Sequence, residues 1–166
     1  MCSGNGSNFE NIHHACPKHD IVIMVYNKKK AKARKRAENL NIPSCYSKDE
    51  DEIIALFNAY ELDMIVMAGW MKVVSKKFCD EFAGRIINLH PSLLPKYKGL
   101  HAVEQALKAG EDETGCTVHF VNEYLDSGAI IKQQVVPILP SDTVGSLTRA
   151  IQQAEHSRLP SVINAF

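Results

Sequence analysis

A chain of 166 residues is long enough for one domain with a sizeable hydrophobic core. Its 19 basic and 19 acidic residues cancel, so the overall charge favours neither nucleic acid nor an anionic membrane as a partner. The longest apolar runs, at 21–26 and 64–70, are far too short to cross a bilayer.

The five cysteines are widely scattered and form no C-x-x-C pair, which predicts free thiols in a reducing compartment. No charged and apolar leader precedes the glycine loop at the front of the chain. We therefore expect a cytoplasmic protein, with an organelle left open if a targeting segment lies upstream.

Predicted strands and helices alternate along the first two thirds of the chain. A glycine turn at 3–8 leads into an amphipathic stretch that ends near His14. Short apolar runs predict strands at 21–26, 63–68 and 85–89. Spacing and composition predict helices at 28–40, 50–60, 75–82 and 102–109. This alternation is typical of βαβ units, so we expect an α/β domain with a mostly parallel sheet.

The last third of the chain has a different pattern. Two strand-like runs, Cys116–Val121 and Ala129–Pro137, flank a loop of roughly five to seven residues and predict an antiparallel hairpin. Ser141-Asp142 is expected to cap a closing helix through about Ala154, and Pro160 to open or kink a final one. No linker or repeat interrupts residues 1–166, which predicts a single domain.

The front of the chain is unusual for this fold class. A glycine turn that opens a helix normally follows a strand, yet only Met1 and Cys2 precede Ser3. We therefore expect the first strand, a central one in a doubly wound sheet, to be largely absent from this chain. An upstream in-frame start is expected to encode roughly 6–10 further apolar residues, a length typical of a strand.

Asn88 and His90 lie two residues apart at the end of an apolar run. In a strand they point to one face, and Pro91 and Pro95 stiffen the loop that follows. A hydrogen-bond donor beside a proton carrier suits acyl-type transfer at a carbonyl oxygen. A satisfied polar pair at a sheet edge has the same pattern, so both interpretations stay open.

Asp126 is a carboxylate that favours the catalytic interpretation. It lies in the predicted hairpin loop, which is able to cover the carboxyl ends of the parallel strands, where such folds bind ligands. A carboxylate beside an imidazole stabilises the charged ring, which suits His90 as a proton donor near neutral pH. The alternative is that Asp126 is only a turn residue.

Three further motifs have a functional and a structural interpretation. The loop at 3–8 could bind a phosphate at a helix N-terminus, and the alternative is that it is only a tight turn. It does not match the dinucleotide-binding fingerprint, because Phe9 occupies the position of the third glycine. The segment at 68–71 suits the wall of a flat heterocycle pocket, with core packing as the alternative for Trp70. Glu155 and His156 either reach a polar ligand or are solvated.

Two other clusters are interpreted as structural. Lys28–Arg36 holds seven basic residues in nine, but it lacks interleaved aromatic residues and predicts a solvated helix face rather than a nucleic-acid site. His13, Cys16 and His19 have ligand-like spacing, but Pro17 interrupts the helix that would align them. We expect no metal site there.

Five segments together resemble the phosphoribosylglycinamide formyltransferases of purine synthesis, over nearly the whole chain. They are S-G-N-G-S-N at 3–8, A-G-W-M-K-V-V-S at 68–75, N-L-H-P-S-L-L-P-K-Y-K-G-L-H at 88–101, V-H-F-V-N-E-Y-L-D-S-G at 118–128 and Q-x-x-E-H at 152–156. The central segment is shared by folate-dependent formyltransferases generally. The glycine loop and Gly99-Leu100-His101 narrow the resemblance to this branch. A methionyl-tRNA formyltransferase would lack the loop and add a C-terminal domain, and a formyltetrahydrofolate deformylase would carry a regulatory domain ahead of it.

The resemblance implies a Rossmann-like formyltransferase fold. It implies transfer of a formyl group from the cosubstrate 10-formyltetrahydrofolate to the amine of glycinamide ribonucleotide in purine (IMP) biosynthesis. It also implies small-molecule substrates, no metal, no nucleic acid, no membrane, and a monomer or weak homodimer. Two alternatives stay open: a non-catalytic folate- or nucleotide-binding remnant, and another 10-formyltetrahydrofolate-dependent formyltransferase.

The resemblance also assigns site residues. The catalytic residues would be Asn88, His90 and Asp126. The phosphoribosyl substrate would contact Gly6, Ser7, Asn8, Gln152 and Glu155. The folate would border Met71, Lys72, Val73, Val74, Asn88, His119, Val121, Asn122, Glu123, Tyr124, Leu125 and Asp126.

The chain departs from the family pattern at several positions. Lys72 replaces a common arginine, and another arginine near the folate tail has no clear counterpart except Tyr46 or Lys48. The chain also ends at Phe166, where family members usually continue. The resemblance further implies that the Leu94-Pro95 bond is cis.

Overall fold

The computed structural model describes residues 1–166 as strands covered by helices on both faces. The strands are β1 (Met24–Tyr26), β2 (Ser44–Tyr46), β3 (Ile65–Ala68), β4 (Ile86–His90), β5 (Glu113–Phe120) and β6 (Ile130–Pro137). The helices are α1 (Ser7–Ala15), α2 (Ala33–Asn39), α3 (Glu50–Ala59), α4 (Lys76–Glu81), α5 (Ala102–Lys108) and α6 (Val144–Ile163). No helix combines the length and the apolar composition needed to span a membrane.

The strands form two sheets. In the first sheet, β1 and β2 run parallel. In the second, whose order is β3-β4-β5-β6, β3 and β4 run parallel, β5 pairs antiparallel with β4, and β6 pairs antiparallel with β5. This arrangement confirms the α/β class and the C-terminal antiparallel hairpin. The hairpin connection covers residues 121–129, longer than predicted, because β5 ends at Phe120 and β6 begins only at Ile130.

A gap separates the two sheets at the position of the expected first strand. Cys2 makes one parallel bridge to Tyr26 of β1, and its N–H donates to the Val25 carbonyl at 3.0 Å. On the other side, the Met1 amine donates to the Val66 carbonyl at 2.7 Å. Met1 and Cys2 therefore connect the two sheets at the carboxyl end of the strands.

Alternation along β4 explains how one strand contributes to two cores. Ile86 packs in an apolar cluster with Phe57 of α3 and Phe78 of α4. Its neighbour Ile87 packs in a second cluster with Leu147 of α6. Successive side chains of a strand point to opposite faces, so a strand covered by helices on both sides is apolar at consecutive positions.

The predicted helix at 28–40 is wrong in its first part. α2 begins only at Ala33, after a turn in which the Ala31 N–H donates to the Lys28 carbonyl at 2.9 Å. The Ala33 N–H donates to the Gly4 carbonyl at 3.2 Å, so the contact with the glycine loop decides where the helix starts.

Two strand predictions also need correction. β1 begins at Met24 rather than at residue 21, because the residues before it have no neighbouring strand on the side of the gap. β2 is absent from the predicted elements, since its three residues give too short a pattern to recognise.

The predicted end of the closing helix is wrong. α6 continues to Ile163 with Pro160 inside it. Proline lacks the N–H that would bond the His156 carbonyl four residues earlier. Asn11 Nδ2 of α1 donates to that carbonyl instead, at 2.7 Å, so the helix passes Pro160 without losing a partner for the carbonyl.

The start of α6 is also displaced from the prediction. Its N-cap is Thr143, which forms a capping box with Ser146, rather than Ser141 or Asp142. Asp142 has a supporting contact, since its Oδ1 accepts a hydrogen bond from the Ser146 hydroxyl at 2.6 Å.

Candidate active site

Asn88, His90 and Asp126 converge at the carboxyl edge of the sheet. The first two lie on β4, and Asp126 approaches them from the hairpin connection at 121–129. His90 Nδ1 lies 3.3 Å from Asp126 Oδ2, and Asn88 Nδ2 lies 3.5 Å from Asp126 Oδ1. The fold therefore brings together three polar residues that are up to 38 positions apart in sequence.

Both ring nitrogens of His90 face oxygen acceptors. Nδ1 faces the Asp126 carboxylate, and Nε2 lies 2.8 Å from the Tyr97 carbonyl, which can only accept. A doubly protonated ring satisfies both acceptors, whereas a neutral ring satisfies one. The geometry is therefore suited to a charged imidazole, and the ring is only 5% exposed.

Asp126 is held as a carboxylate. Burial by itself would raise the pKa of Asp126, but contacts with His119, the Gly99 N–H and the charge of His90 outweigh it and lower the pKa below its usual value. The Gly99 N–H donates to Oδ2 at 2.8 Å. Because Asp126 has a positive φ of 44°, the backbone turns sharply to aim this side chain inward.

His119 lies behind Asn88 and is almost wholly buried. Its Nδ1 donates to the Phe120 carbonyl at 2.7 Å. Its Nε2 lies 3.1 Å from Asn88 Nδ2 and 3.6 Å from Asp126 Oδ1. His119 therefore orients the amide of Asn88, a contact that sequence reasoning did not anticipate.

A buried hydroxyl fixes the loop that carries the Tyr97 carbonyl. Thr117 Oγ1 donates to the Ser92 carbonyl at 2.6 Å and accepts from the Leu94 N–H at 3.1 Å and from Gln133 Nε2 at 2.9 Å. The Leu94-Pro95 bond in this loop is cis, as the resemblance implied. Sequence reasoning missed this network; the only signal was a threonine among the apolar residues of β5.

The glycine loop is placed beside the same edge of the sheet. Gly6 has a φ of 74°, and a Cβ on it would lie 2.7 Å from the Ala33 Cβ, so both conformation and space require glycine. No side chain caps the N-terminus of α1, which leaves the first N–H groups of the helix, at Ser7 and Asn8, open to an anion. Ser3 ties the loop to the strand end through its hydroxyl, which accepts from the Met71 N–H at 2.9 Å.

Asn8 and Glu155 form a direct contact between α1 and α6. Asn8 Nδ2 donates to Glu155 Oε2 at 2.9 Å, while the Oδ1 of Asn8 is buried without a hydrogen-bond partner. Burial raises the pKa of Glu155, and the hydrogen bond from Asn8 only partly opposes this effect. Gln152, one turn earlier, is exposed.

Several apolar residues that the resemblance assigns to the folate are exposed. Met71 and Val73 in one segment, and Tyr124 and Leu125 in the hairpin connection, are each about half exposed or more. Among the other residues assigned to the folate, Asn122 and Glu123 are exposed, Val121 is half-buried and Val74 is buried in the core.

Trp70 and Lys72, on either side of Met71, contact other parts of the protein. Trp70 is 8% exposed and packs in the cluster below α3 and α4, which supports core packing for this ring. Lys72 Nζ donates to the Lys48 carbonyl at 3.1 Å and lies 3.8 Å from Glu50 Oε1. No group of three or more His, Cys, Asp or Glu side chains is placed to hold a metal ion.

Known proteins of one family match this chain over nearly its whole length. The model of a formyl transferase family matches residues 1–163. The phosphoribosylglycinamide formyltransferase of Haemophilus influenzae is 39% identical, and the match covers 100% of this chain and 84% of that protein. The chain belongs to the phosphoribosylglycinamide formyltransferase family. The Escherichia coli member is 38% identical, again over 100% of this chain and 84% of its own length.

Solved structures of this family have the same fold. The phosphoribosylglycinamide formyltransferase of Anaplasma phagocytophilum superposes with a TM-score of 0.95 at 38% identity, covering 98% of this chain and 82% of that one. The Bacillus halodurans member gives 0.93 at 34% identity over 99% and 91%. The trifunctional purine biosynthetic protein adenosine-3 of Drosophila melanogaster is 43% identical over 98% of this chain, which spans only 13% of that protein's length.

Proposed function

We propose that this chain transfers a formyl group from 10-formyltetrahydrofolate to the amine of glycinamide ribonucleotide, a step of purine (IMP) biosynthesis. The observation that carries the proposal is the buried His90–Asp126 pair, 3.3 Å apart, beside the amide of Asn88. This arrangement offers charged and neutral hydrogen-bond donors to a carbonyl oxygen. Membership of the formyltransferase family and the names of its relatives support the same reaction.

The N-terminus of α1 would bind the phosphate of the phosphoribosyl substrate. Gly6, Ser7 and Asn8 present backbone N–H groups at a helix end, where the helix dipole favours a phosphate. Glu155 and Gln152 on α6 would contact the remainder of the substrate, because Asn8 links the two helices directly. The amine would then lie between this loop and the end of β4.

The folate would lie against the exposed apolar residues of 71–74 and of the hairpin connection. Its flat ring would lie between Met71–Val74 and Asn122–Asp126, with Asn88, His119 and Val121 behind it. Exposed methionine, valine, tyrosine and leucine side chains are suited to line a pocket that binds a heterocycle. The folate is consumed in the reaction and is a cosubstrate, and the proposed chemistry uses side chains and one water molecule.

The reaction begins when the amine of the ribonucleotide attacks the formyl carbon and forms the new C–N bond. The carbonyl electron pair moves to oxygen, and Asn88 and protonated His90 donate hydrogen bonds to this oxyanion. Loss of one such donor typically costs about 3–4 kcal/mol of barrier. In the structure the His90 Nε2–H is bonded to the Tyr97 carbonyl, so the oxyanion must replace that acceptor.

The second half of the reaction moves one proton. The attacking nitrogen loses a proton through a water held by Asp126, and N10 of the folate gains one. Collapse of the oxyanion then breaks the bond from the formyl carbon to N10 and releases tetrahydrofolate and the formylated ribonucleotide. Asp126 remains ionised and keeps His90 charged through both steps.

The test is a formyl-transfer assay of the chain with glycinamide ribonucleotide and 10-formyltetrahydrofolate, followed by chromatographic detection of the formylated product. We expect product with the wild-type chain and little with Asp126→Asn. Binding of both substrates without any turnover would instead favour a non-catalytic remnant. Transfer to methionyl-tRNA in place of the ribonucleotide would favour another formyltransferase.

The proposal also covers the partners, the cellular compartment and the oligomeric state of the enzyme. A small-molecule reaction of this kind needs neither nucleic acid nor a membrane, and we propose a cytoplasmic monomer or weak homodimer. The free thiols of all five cysteines are consistent with a reducing compartment. Sedimentation at micromolar concentration measures the oligomeric state, and a stable tetramer would contradict this part of the proposal.

A further inference from the structure

Tyr97 connects the proposed catalytic site with a carboxylate outside it. The Tyr97 carbonyl lies 2.8 Å from His90 Nε2, and the phenol hydroxyl of the same residue donates to Glu111 Oε1 at 2.7 Å. One residue therefore contacts the imidazole through its backbone and Glu111 through its side chain. The proposed reaction uses neither the phenol nor the carboxylate of Glu111.

The backbone of Tyr97 has a conformation that is unusual for a residue other than glycine. Its φ of 54° lies in the left-handed region, which such residues keep only where the surrounding contacts hold them. On the inner side, the buried Ser92 hydroxyl donates to the preceding carbonyl, that of Lys96, at 2.6 Å. On the outer side, the phenol is bonded to Glu111. We therefore expect the position of the Tyr97 carbonyl to depend on both contacts.

Glu111 is a well-fixed anchor for the phenol. It follows Gly110, which has a φ of 68° directly after the end of α5. The Glu111 N–H donates to the Ala106 carbonyl at 3.3 Å, and the Gly110 N–H donates to the Leu107 carbonyl at 3.1 Å. These two hydrogen bonds form a Schellman motif, which fixes the backbone of Glu111 on the end of the helix.

Lys96 is the second partner of Glu111. Its Nζ lies 2.9 and 2.8 Å from the two carboxylate oxygens. Hydrogen bonds from Lys96 and Tyr97 lower the pKa of Glu111, so at neutral pH the phenol donates to a charged acceptor. The side chain of Lys96 is 61% exposed, so water screens the ion pair. Of the two contacts of Glu111, only the one with Tyr97 continues to His90.

We propose that Glu111 is a positioning residue, which acts through the phenol of Tyr97 to fix the Tyr97 carbonyl against His90 Nε2. This carbonyl and the Asp126 carboxylate are the two acceptors on the ring, so together they set its orientation. The Nε2–H is then already oriented when the oxyanion of the substrate replaces the carbonyl. The inference rests on the proposed function, in which His90 donates to that oxyanion.

The test measures kcat for formyl transfer in variants of the full chain. Tyr97→Phe and Glu111→Ala both remove the contact, and we expect each to lower kcat by roughly tenfold, since a misplacement of about 1 Å can cost on the order of 10²-fold. Glu111→Gln keeps an acceptor for the phenol and should recover most of kcat. Lys96→Gln is the control and should keep full turnover, because it removes the ion pair and leaves the phenol contact in place.

Two further kinetic results are expected if the two residues act through one contact. Adding Glu111→Ala to Tyr97→Phe should lower kcat no further, because residues that share one interaction are not additive. KM for glycinamide ribonucleotide should stay unchanged in every variant, because the glycine loop is untouched.

The NMR resonance of His90 Nε2 is a readout that needs no substrate. It is observed with isotope-labelled histidine and assigned by its loss in His90→Gln. We expect it to move in Tyr97→Phe and in Glu111→Ala, and to stay in place in Lys96→Gln. A role of Glu111 in stability alone would lower Tm without moving this resonance.

Three outcomes would overturn the proposal. An unmoved His90 resonance in Glu111→Ala shows that the carboxylate does not position the ring. An equal loss of kcat in Lys96→Gln shows that charge, rather than the phenol contact, is what matters. A kcat that is unchanged or higher in Tyr97→Phe shows that the Tyr97 carbonyl only competes with the oxyanion. If no chain, the wild type included, transfers a formyl group, the proposed function fails, and the resonance still decides whether Glu111 positions His90.

Discussion

Asp126 Oδ2 lies 3.3 Å from His90 Nδ1, and both side chains are less than a tenth exposed. The pair is buried, so its attraction is screened far less than that of a surface ion pair. The low pKa of Asp126 keeps this carboxylate ionised at neutral pH, which supplies His90 with a permanent counter-ion. The second oxygen of the carboxylate faces Asn88, so one side chain connects both proposed oxyanion donors.

Replacement of this carboxylate tests the proposed catalytic role. We expect Asp126→Asn to lower kcat by about 10²- to 10⁴-fold, the usual contribution of acid–base groups, because His90 loses its counter-ion. Affinity for glycinamide ribonucleotide should change little, since the α1 loop is untouched. Asp80→Asn, an exposed carboxylate paired with Lys76, is the control and should keep full turnover. Near-normal kcat in Asp126→Asn would remove Asn88, His90 and Asp126 from the mechanism.

The raised pKa of Glu155 predicts a pH-dependent stability. The folded protein binds this proton more tightly than the unfolded chain, so the protonated group favours folding below about pH 4.5, and this contribution is lost as pH rises through the folded value. Glu155→Gln keeps an acceptor for Asn8 and removes the buried charge. At pH 7.5 we expect Tm to rise by roughly 2–4 °C, which corresponds to about 1 kcal/mol in a chain of this size.

The gain in Tm from Glu155→Gln should shrink as the pH is lowered to 4, because the wild-type side chain is then neutral as well. Scanning calorimetry between pH 4 and pH 8 measures this difference. Glu113→Gln, at an exposed position, is the control and should show no such trend. A Tm difference that stays constant across this pH range would contradict the interpretation that burial of the Glu155 carboxylate destabilises the fold.

Two buried threonines on β5 form a matched pair. Thr117 Oγ1 has three hydrogen-bond partners, whereas Thr114 Oγ1 is buried with none. Thr117→Val leaves the Leu94 N–H unpaired and should cost about 1–3 kcal/mol of unfolding free energy. Thr114→Val removes an unpaired hydroxyl and should be neutral or slightly stabilising. Urea denaturation of both variants measures the change in unfolding free energy. An equal loss of unfolding free energy in the two variants would show that the hydrogen bonds of Thr117 do not stabilise the fold.

Gly128 closes the hairpin connection against β5. A Cβ there would lie 1.8 Å from the Phe120 carbonyl oxygen, so the loop that carries Asp126 must move. We expect Gly128→Ala to cost about 1–3 kcal/mol and to lower kcat as well. Gly145→Ala is the control, since its Cβ meets nothing closer than 3.8 Å and it lies in the first turn of α6. Urea denaturation and the formyl-transfer assay measure both effects, and normal kcat and stability in Gly128→Ala would contradict the steric requirement for glycine here.

Most elements of the fold were predictable from pattern. Alternating apolar runs and helical spacing predicted β3, β4, α3 and the hairpin with boundaries within a few residues. The errors lie where a distant contact overrides local preference. α6 passes Pro160 because Asn11, 145 positions away from His156, satisfies the freed carbonyl. No window along the sequence contains that information.

Part of the candidate site was likewise predictable from the sequence, and part was not. Period-two alternation placed Asn88 and His90 on one face, and the predicted hairpin loop offered Asp126 as a carboxylate, which the family resemblance then assigned to the catalytic set. The supporting contacts were not predictable, because they involve the Tyr97 carbonyl, the Gly99 N–H and His119, whose partners depend on how loops are folded. The sequence does not indicate which backbone N–H or carbonyl groups will reach the site.

The sequence by itself determined the α/β class, the family resemblance and the placement of Asn88 and His90 on one strand face, since each follows from local pattern and spacing. Only the tertiary structure decided that the carboxylate of Asp126 meets His90 and that Glu155 is buried against Asn8. The physical reason is that burial and long-range hydrogen bonding, which set charge states and cavities, arise only when distant segments pack together.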